Sequence, residues 1–262
     1  MMYPHHQTAI QTITDKLKVK EEILAVIVGG SVAHGFAKED SDIDLMLVVS
    51  DEHYRSLLES GDIHYHETES TPYDGGYVDG KYTSISYIKK VAESGSEPAR
   101  FAFKDAIVSY SEIIGLEELV QAASRYPIER KNETMEKFHA QFEGWRWMFY
   151  EGLKKKEPYV IEFSATNFVL FAGRLILAYN EVVYPYHKWF MKVLEGVNNK
   201  PNDLHVIINN VLKDKSKESV EVLYECVTQF HQWPQSEKGW HIRFMLDSEL
   251  NWMTGHVPVA DL

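Results

Sequence analysis

The chain has 262 residues, of which 44% are hydrophobic and 25% charged, so it can bury one large core or two modest ones. Its 39 acidic residues exceed its 27 basic residues and give a formal net charge of −12. This charge argues against DNA or tRNA as a partner, because such ligands are bound by neutralising many phosphates, and it fits a cationic small molecule better. The single cysteine, Cys226, excludes an internal disulfide and is interpreted as a buried structural thiol.

The N-terminal segment shows no targeting signal. Residues 1–6 and the polar helical pattern after them contain neither the basic stretch nor the apolar stretch of a secretory signal peptide. No run of 18 apolar residues occurs that would predict a membrane-spanning helix. We therefore expect a cytoplasmic protein that does not bind a membrane.

The first predicted strand, residues 23–28, ends at a glycine turn. Its residues are apolar and mostly β-branched, which is typical of a buried strand, and Gly29-Gly30 follows directly. Ser31 is placed to cap a short helix, where backbone N–H groups would face an anion. The sequence therefore predicts that Gly30 and Ser31 contact phosphate groups.

Two carboxylates stand at the start of the next predicted strand, residues 43–49. Asp42 and Asp44 are two positions apart, and side chains alternate between faces along a strand, so both point to the same face. Two neighbouring carboxylates repel each other unless a cation lies between them. We predict that Asp42 and Asp44 bind a metal ion.

Short strand patterns continue as far as residue 127. Strands are predicted at 63–68, 77–88 and 105–110, and residues 71–76 form one of the turns between them. His64 and His66 lie on the first of these strands. They lack the further ligands that a zinc site has nearby in sequence, so we interpret them as surface residues.

After residue 127 the pattern is helical. Aromatic residues recur at spacings of four, three and four, which predicts one buried stripe on a helix at 132–156 that ends before Pro158; they are Phe138, Phe142, Trp145 and Phe149. Further helices are predicted at 160–180, 186–197, 203–213, 217–231 and 237–253. The predicted fold is α+β: an α/β domain with a mixed sheet at residues 1–127, followed by a helical bundle at residues 128–262.

The glycine turn and the two aspartates together resemble a known signature. Gly30-Ser31, Gly35 and Ser41-Asp42-Ile43-Asp44-Leu45 are similar to the Gly-Ser and Asp-x-Asp motifs of the polymerase-β-like nucleotidyltransferase superfamily, and in particular of the streptomycin/spectinomycin-type aminoglycoside adenylyltransferases. The resemblance covers about residues 29–49. It implies that residues 1–127 are the catalytic domain, that residues 128–262 bind substrate and nucleotide, and that Asp42 and Asp44 hold Mg²⁺ together with ATP.

The resemblance also implies a third carboxylate on a later strand. Asp79 is the best candidate, since it lies early in the predicted strand 77–88, at a separation from Asp44 that is similar to the family's. We expect it to contact the metal and to act as general base. Glu67, on the weaker strand 63–68, is the alternative. The family often has glutamate here, so Asp79 departs from the pattern.

The helical half carries a second resemblance. Arg174, within the apolar segment 171–177, and Lys188, within the segment 184–190, are similar to an Arg, Pro-x-x-Lys, Trp element of the streptomycin-type enzymes. This implies that both cations contact the phosphates of the nucleotide. The alternative for Arg174 is an ion pair with an acid such as Glu162 or Glu181, because an unpaired buried charge is costly.

The reaction that the resemblance implies is transfer of AMP from ATP to a hydroxyl group of a small acceptor such as a cationic aminoglycoside. The hydroxyl attacks the α-phosphorus, pyrophosphate leaves, and Mg²⁺ neutralises the triphosphate. Two alternatives remain open. The chain could be a nucleotidyltransferase that modifies a protein or RNA, as an antitoxin-like partner, or a catalytically silent module that binds nucleotide for regulation.

Overall fold

Five strands in the N-terminal half pair into one mixed sheet. The strands are β1 (Ala25–Val28), β2 (Ile43–Val49), β3 (His64–Glu67), β4 (Val78–Ser84) and β5 (Ile107–Ser111). Their order across the sheet is β3-β4-β2-β1-β5 in the computed structural model, which describes residues 2–253 and 255. β2 and β4 are parallel, whereas the other three pairs are antiparallel. The predicted α+β fold with a mixed sheet is therefore confirmed.

The middle strands of the sheet, β1 and β2, are buried on both faces. The helices of this half are α1 (Pro4–Leu17), α2 (Gly30–Ala33), α3 (Asp51–Ser60), α4 (Ile85–Ser94), α5 (Glu97–Phe101) and α6 (Leu116–Ser124). Leu45 and Leu47 of β2 lie in the core that includes side chains of α1 and α3. Met46 and Val48, which alternate with them, lie in the core that includes side chains of α4 and α6. Double burial explains why β2 is a nearly continuous apolar run.

One predicted strand was too long. The pattern at 77–88 predicted a single strand, but β4 ends at Ser84 and α4 begins at Ile85. The Oγ of Ser84 accepts a hydrogen bond from the N–H of Tyr87, as an N-cap does. The apolar and aromatic residues after Ser84 have high strand propensity, which explains the wrong prediction. The segment forms a helix because Ser84 caps it and because Ile88 and Val91 are buried against the sheet. The sequence interpretation also did not foresee α3, α5 and α6.

The chain divides into two compact units, Met1–Tyr126 and Pro127–Leu262. The described part of the second unit is helical, as predicted, with short 3₁₀ turns, and its helices are α7 (Lys131–Lys155), α8 (Pro158–Tyr179), α9 (Phe190–Gly196), α10 (Leu204–Asp214), α11 (Lys217–Phe230) and α12 (Trp240–Ser248). The predicted aromatic stripe packs α7 on α8, since the ring of Phe142 stacks on that of Phe168 at 4.4 Å between centroids. Cys226 on α11 is only partly buried, and burial raises the pKa of its thiol.

Helix α8 is the most apolar helix of the described residues. By length and composition it could cross a membrane, with a mean hydropathy of 1.5 over its most apolar window. Half of that window is buried inside the protein, however, and core helices commonly have this composition. The burial is explained by its packing between α7 and α10.

Candidate active site

The register of two parallel strands brings Asp44 and Asp79 together. Asp44 on β2 is the direct cross-strand partner of Asp79 on β4. Partners in such a pair direct their side chains to the same face of the sheet. Asp42 lies two residues before Asp44, at the end of the sheet where β2 and β4 begin. The structure therefore places the predicted third carboxylate beside the predicted metal-binding pair.

Tyr77 lies within range of the negative charges of all three aspartates. The charge of Asp42 is the main cause that raises the pKa of the Tyr77 hydroxyl, followed by a hydrogen bond to the Asp42 carboxylate and partial burial. Asp79 and Asp44 raise this pKa further. The hydroxyl of Tyr77 therefore lies on the side of the sheet where the negative charges of these aspartates act.

Glu67 lies on the other face of the sheet. His66 is the partner of Asp79 across the β3–β4 pair, so the neighbouring Glu67 points away from it. The Glu67 carboxylate forms an ion pair with Lys16 of α1 and accepts a hydrogen bond from the N–H of Ser70. The geometry thus brings Asp79, and not Glu67, to the carboxylate pair.

The glycine turn lies directly against Asp44. The N–H of Gly29 donates to the backbone carbonyl of Asp44 at 2.9 Å. Gly30 has φ of +60°, and a Cβ atom at this position would lie 1.7 Å from Oδ2 of Asp44. Only glycine fits here, because it tolerates a positive φ and leaves room for the carboxylate.

Ser31 does not have the role of helix cap that the sequence predicted. The short helix α2 already begins at Gly30, so Gly29 is the N-cap residue and Ser31 lies inside the helix. The Ser31 side chain is buried, with 6% of the residue exposed. The error arises because glycine can itself start a helix, one residue earlier than the serine signal indicates.

A cavity of about 320 Å³ lies above these residues. Its lining includes the glycine turn, Gly29 and Gly30, and two of the three aspartates, Asp44 and Asp79. The basic side chains of His34, His64 and Lys81 also line it. His34 is buried, and this burial lowers its pKa, although Asp105 opposes the shift. Its ring packs on Phe101 at 4.5 Å.

Lys81 brings a positive charge to the face of the aspartates. It lies two residues after Asp79 on β4 and therefore points to the same side. The residue as a whole is exposed, yet the protein surrounding its ammonium lowers the pKa, and Asp44 acts in the opposite direction. Lys81 and Tyr77 were not predicted from the sequence, although both lie two residues from Asp79 and side chains two residues apart on a strand share a face.

His64 contacts the third carboxylate. Its Nε2 lies 2.6 Å from Oδ1 of Asp79, which is hydrogen-bonding distance. The sequence interpretation treated His64 as a surface residue, and 63% of its side chain is indeed exposed. It did not foresee the contact, because the register of β3 against β4 is a tertiary property that neither strand encodes alone.

The residues of this face fit a hard divalent cation. Within residues 2–253 and 255, no three His, Cys, Asp or Glu side chains already surround one point as metal ligands do. Carboxylate oxygens are nevertheless the donors that such a cation prefers. The raised pKa of Tyr77 reflects the concentrated negative charge that a cation would neutralise, and Gly30 leaves the Asp44 carboxylate its space.

In the helical unit, Arg174 is half-buried between two aromatic rings. Its guanidinium carbon lies 4.3 Å from the ring centroids of both Phe138 and Tyr184. The two acids considered as partners are engaged with other cations, Glu162 with Lys215 at 3.2 Å and Glu181 with Lys131 at 2.8 Å.

Lys188 is exposed and lies near an aromatic ring. Its ammonium is 5.2 Å from the ring centroid of the neighbouring Trp189. This contact leaves most of the ammonium accessible to solvent, so Lys188 is chemically able to contact a phosphate.

Comparison with known proteins identifies one family. The model of a family described as "nucleotidyltransferase domain" matches residues 10–171, more than half of the chain. No curated protein matches the chain significantly. Among solved structures, the chain is similar to a nucleotidyltransferase-like protein from Exiguobacterium sibiricum, with 11% sequence identity and a TM-score of 0.45. That match covers 97% of this chain and 82% of the other.

Proposed function

Because the chain belongs to the nucleotidyltransferase domain family, we propose that it transfers AMP from ATP to a hydroxyl group of a small cationic acceptor, in a reaction that requires Mg²⁺. The observation that carries the proposal is the register that pairs Asp44 with Asp79, next to a glycine turn that contacts Asp44. A family member that had lost activity would have no need to keep this third carboxylate in place.

Asp42 and Asp44 would hold the metal ion through their oxygens. Bound there, Mg²⁺ would neutralise charge on the triphosphate. The two aspartates lie at the start of β2, next to the glycine turn. They and the turn would therefore contact one nucleotide from two sides. The backbone N–H groups of Gly30 and Ser31 would face the β- and γ-phosphates.

Asp79 would act on the acceptor. The acceptor oxygen forms a bond to the α-phosphorus, the bond from that phosphorus to the bridging oxygen breaks, and pyrophosphate leaves with the electron pair. The hydroxyl proton passes to the Asp79 carboxylate, which makes it the general base. Cationic side chains would stabilise the negative charge on the departing pyrophosphate. We assign this role to Lys81, which lies on the face of the aspartates, and the sequence resemblance alone proposes it for Arg174 and Lys188.

The charge of the protein supports a cationic acceptor. The formal net charge is −12, and the candidate face itself carries three carboxylates. A polycationic aminoglycoside would be attracted to such a surface, whereas a polyphosphate such as RNA would be repelled. The choice of an aminoglycoside within this class rests on the sequence resemblance.

The test is a comparison of two labels. The protein is incubated with Mg²⁺ and ATP labelled at either the α- or the γ-phosphate, with aminoglycosides, other hydroxylated metabolites, or a cell lysate as acceptors. AMP transfer moves the α label to the acceptor and releases the γ label in pyrophosphate. Transfer of the γ label instead would contradict the proposal, and labelling of a lysate protein would replace the small acceptor by a macromolecule.

A replacement at Asp79 tests the assignment of the base. Asp79→Asn keeps the shape of the side chain but removes its ability to accept a proton. We expect ATP binding to be retained and transfer to slow by on the order of 10²-fold or more. A variant that transfers AMP at the parent rate would show that another group accepts the proton.

A further inference from the structure

His64 reaches Asp79 from the edge of the sheet. β3 is an edge strand, and in its register with β4 His64 is opposite Lys81 while His66 is opposite Asp79. The imidazole of His64 nevertheless extends diagonally to Oδ1 of Asp79, at 2.6 Å. His66, which is nearer in register, makes ring contacts instead, with His64 at 6.2 Å and with Tyr77 at 5.6 Å between centroids.

The contact involves only one of the two carboxylate oxygens of Asp79. An imidazole N–H that donates to Oδ1 fixes the rotation of the carboxylate about its χ2 angle, which is otherwise broad for aspartate. The other oxygen, Oδ2, is then held in a defined direction. Both His64 and Asp79 line the cavity that Gly30 and Asp44 also line. The direction of Oδ2 therefore determines how Asp79 can contact a ligand in this cavity.

We propose that His64 is the positioning residue of the third carboxylate: it donates a hydrogen bond to Oδ1 of Asp79 and thereby aims Oδ2 at the hydroxyl of the acceptor. The inference rests on the proposed function, because it assigns a partner to the general base. His64 itself touches neither nucleotide nor acceptor in this role. Catalysis depends on such second contacts, since a base that rotates freely spends only part of its time in the productive geometry.

Three replacements test the role of His64 in the full-length protein. His64→Ala removes the donor, and His64→Gln provides an amide N–H at a similar distance from the backbone. His66→Ala is the matched control, since it removes an imidazole from the same strand but from outside the cavity lining. Circular dichroism first establishes that each variant is folded.

We expect His64→Ala to lower kcat by roughly 10- to 100-fold, as for loss of a hydrogen bond to a charged group, and to leave KM for ATP within about twofold. His64→Gln should recover much of this loss, and His66→Ala should match the parent. In an Asp79→Asn background, His64→Ala should have little further effect, because the two residues act as one unit. An undiminished kcat in His64→Ala, or an equal loss in the Asp79→Asn background, would overturn the inference.

Crystal structures of the parent, His64→Ala and His66→Ala proteins provide a readout that does not depend on activity. The Asp79 carboxylate should leave its position only in His64→Ala. If the parent transfers no label to any acceptor, the proposed function fails, and these structures still decide the inference. An Asp79 side chain with the same orientation in all three proteins contradicts it.

Discussion

Each of the three aspartates at the candidate site has its own local contact. The charge of Asp42 acts on the Tyr77 hydroxyl and raises its pKa, the backbone of Gly30 lies against the carboxylate of Asp44, and His64 lies within hydrogen-bonding distance of Asp79. Three negative charges on one face repel one another in the absence of a cation. The contact with His64 offsets part of this repulsion at Asp79. The remaining repulsion costs stability, and the proposed metal ion would neutralise it.

The first prediction follows from this cost. Asp42→Asn and Asp44→Asn should each abolish Mg²⁺-dependent ATP binding in calorimetry, because a neutral amide is a poor ligand for Mg²⁺. Their thermal midpoints should equal or exceed that of the parent, since one repulsive charge is removed. Asp40→Asn, an exposed acid in the preceding loop, serves as control. Parent-like Mg²⁺-dependent binding in both variants would refute the metal assignment.

The second prediction concerns Gly30. Gly30→Ala should destabilise the protein by roughly 1–3 kcal/mol because of its positive φ, and it should also weaken Mg²⁺-dependent ATP binding, because the new methyl group displaces the Asp44 carboxylate. Gly61→Ala separates the two effects. Gly61 has φ of +83° but nothing within 4 Å of an added Cβ, so this variant should lose stability alone. Equal ATP binding by both variants would contradict the proposed approach of the glycine turn to the metal site.

At the scale of secondary structure, β4 organises the candidate site. Tyr77, Asp79 and Lys81 are two residues apart from one another, and side chains at this spacing share one face of a strand. One short segment therefore presents a phenol, a carboxylate and an ammonium to the same side. The strand ends at Ser84, whose hydroxyl caps α4. The chain therefore leaves the sheet three residues after Lys81.

The sequence predicted part of this arrangement and could not predict the rest. The bounds of β2 were correct because a strand with six apolar residues out of seven, buried on both faces, has a strong local signature. The shared face of Asp42 and Asp44 also follows from local alternation. The approach of His64 to Asp79 depends on which strands pair and in what register, and the start of α4 depends on a cap that competes with strand propensity. Strand pairing and register depend on contacts between segments that are far apart in sequence.

Helix α7 carries the third prediction, which concerns pH. His139 is buried within the helical unit, where desolvation lowers its pKa, and Glu143, with Oε1 at 3.5 Å from Nε2, opposes the shift. Between the lowered folded pKa and the unfolded pKa of about 6.5, the unfolded chain binds more protons. Stability should therefore fall as the pH drops below about 6.5.

His139→Gln should reduce this loss of stability, measured as the difference in thermal midpoint between pH 7.5 and pH 5.5. It should not abolish the loss, because burial also lowers the pKa of His6 and His34. The same replacement at the exposed His205 is the control. If His139→Gln and the parent lose equal stability at pH 5.5, His139 does not contribute to the pH dependence.

At the scale of the whole molecule, the family and the acceptor are determined by different information. The family match covers residues 10–171, which include the entire sheet and the first part of the helical unit. This match assigns the chain to the nucleotidyltransferase domain family. The acceptor depends on side chains that differ among members of one fold, so neither the fold nor the motif names it. The net charge of −12 is the whole-molecule property that favours a cationic acceptor.

The fourth prediction concerns the helical unit. If Lys188 contacts a phosphate, Lys188→Ala should weaken ATP binding by roughly 1–3 kcal/mol, as expected for a charge-assisted contact. Lys192→Ala is the control, because its ammonium lies 5.6 Å from the same Trp189 ring and the charge change is identical. Equal weakening by both variants would indicate a general effect of charge, and no weakening by either would remove Lys188 from the binding site.

We propose that the sheet face of Asp42, Asp44 and Asp79 binds a divalent ion together with a nucleoside triphosphate. A crystal structure of the protein with Mn²⁺ and a non-hydrolysable ATP analogue tests this proposal, because the anomalous signal of Mn²⁺ locates the ion. We expect an anomalous peak at about 2.0–2.3 Å from carboxylate oxygens of Asp42 and Asp44, with the triphosphate against Gly30. A nucleotide bound elsewhere, or Mn²⁺ bound away from these aspartates, would contradict it.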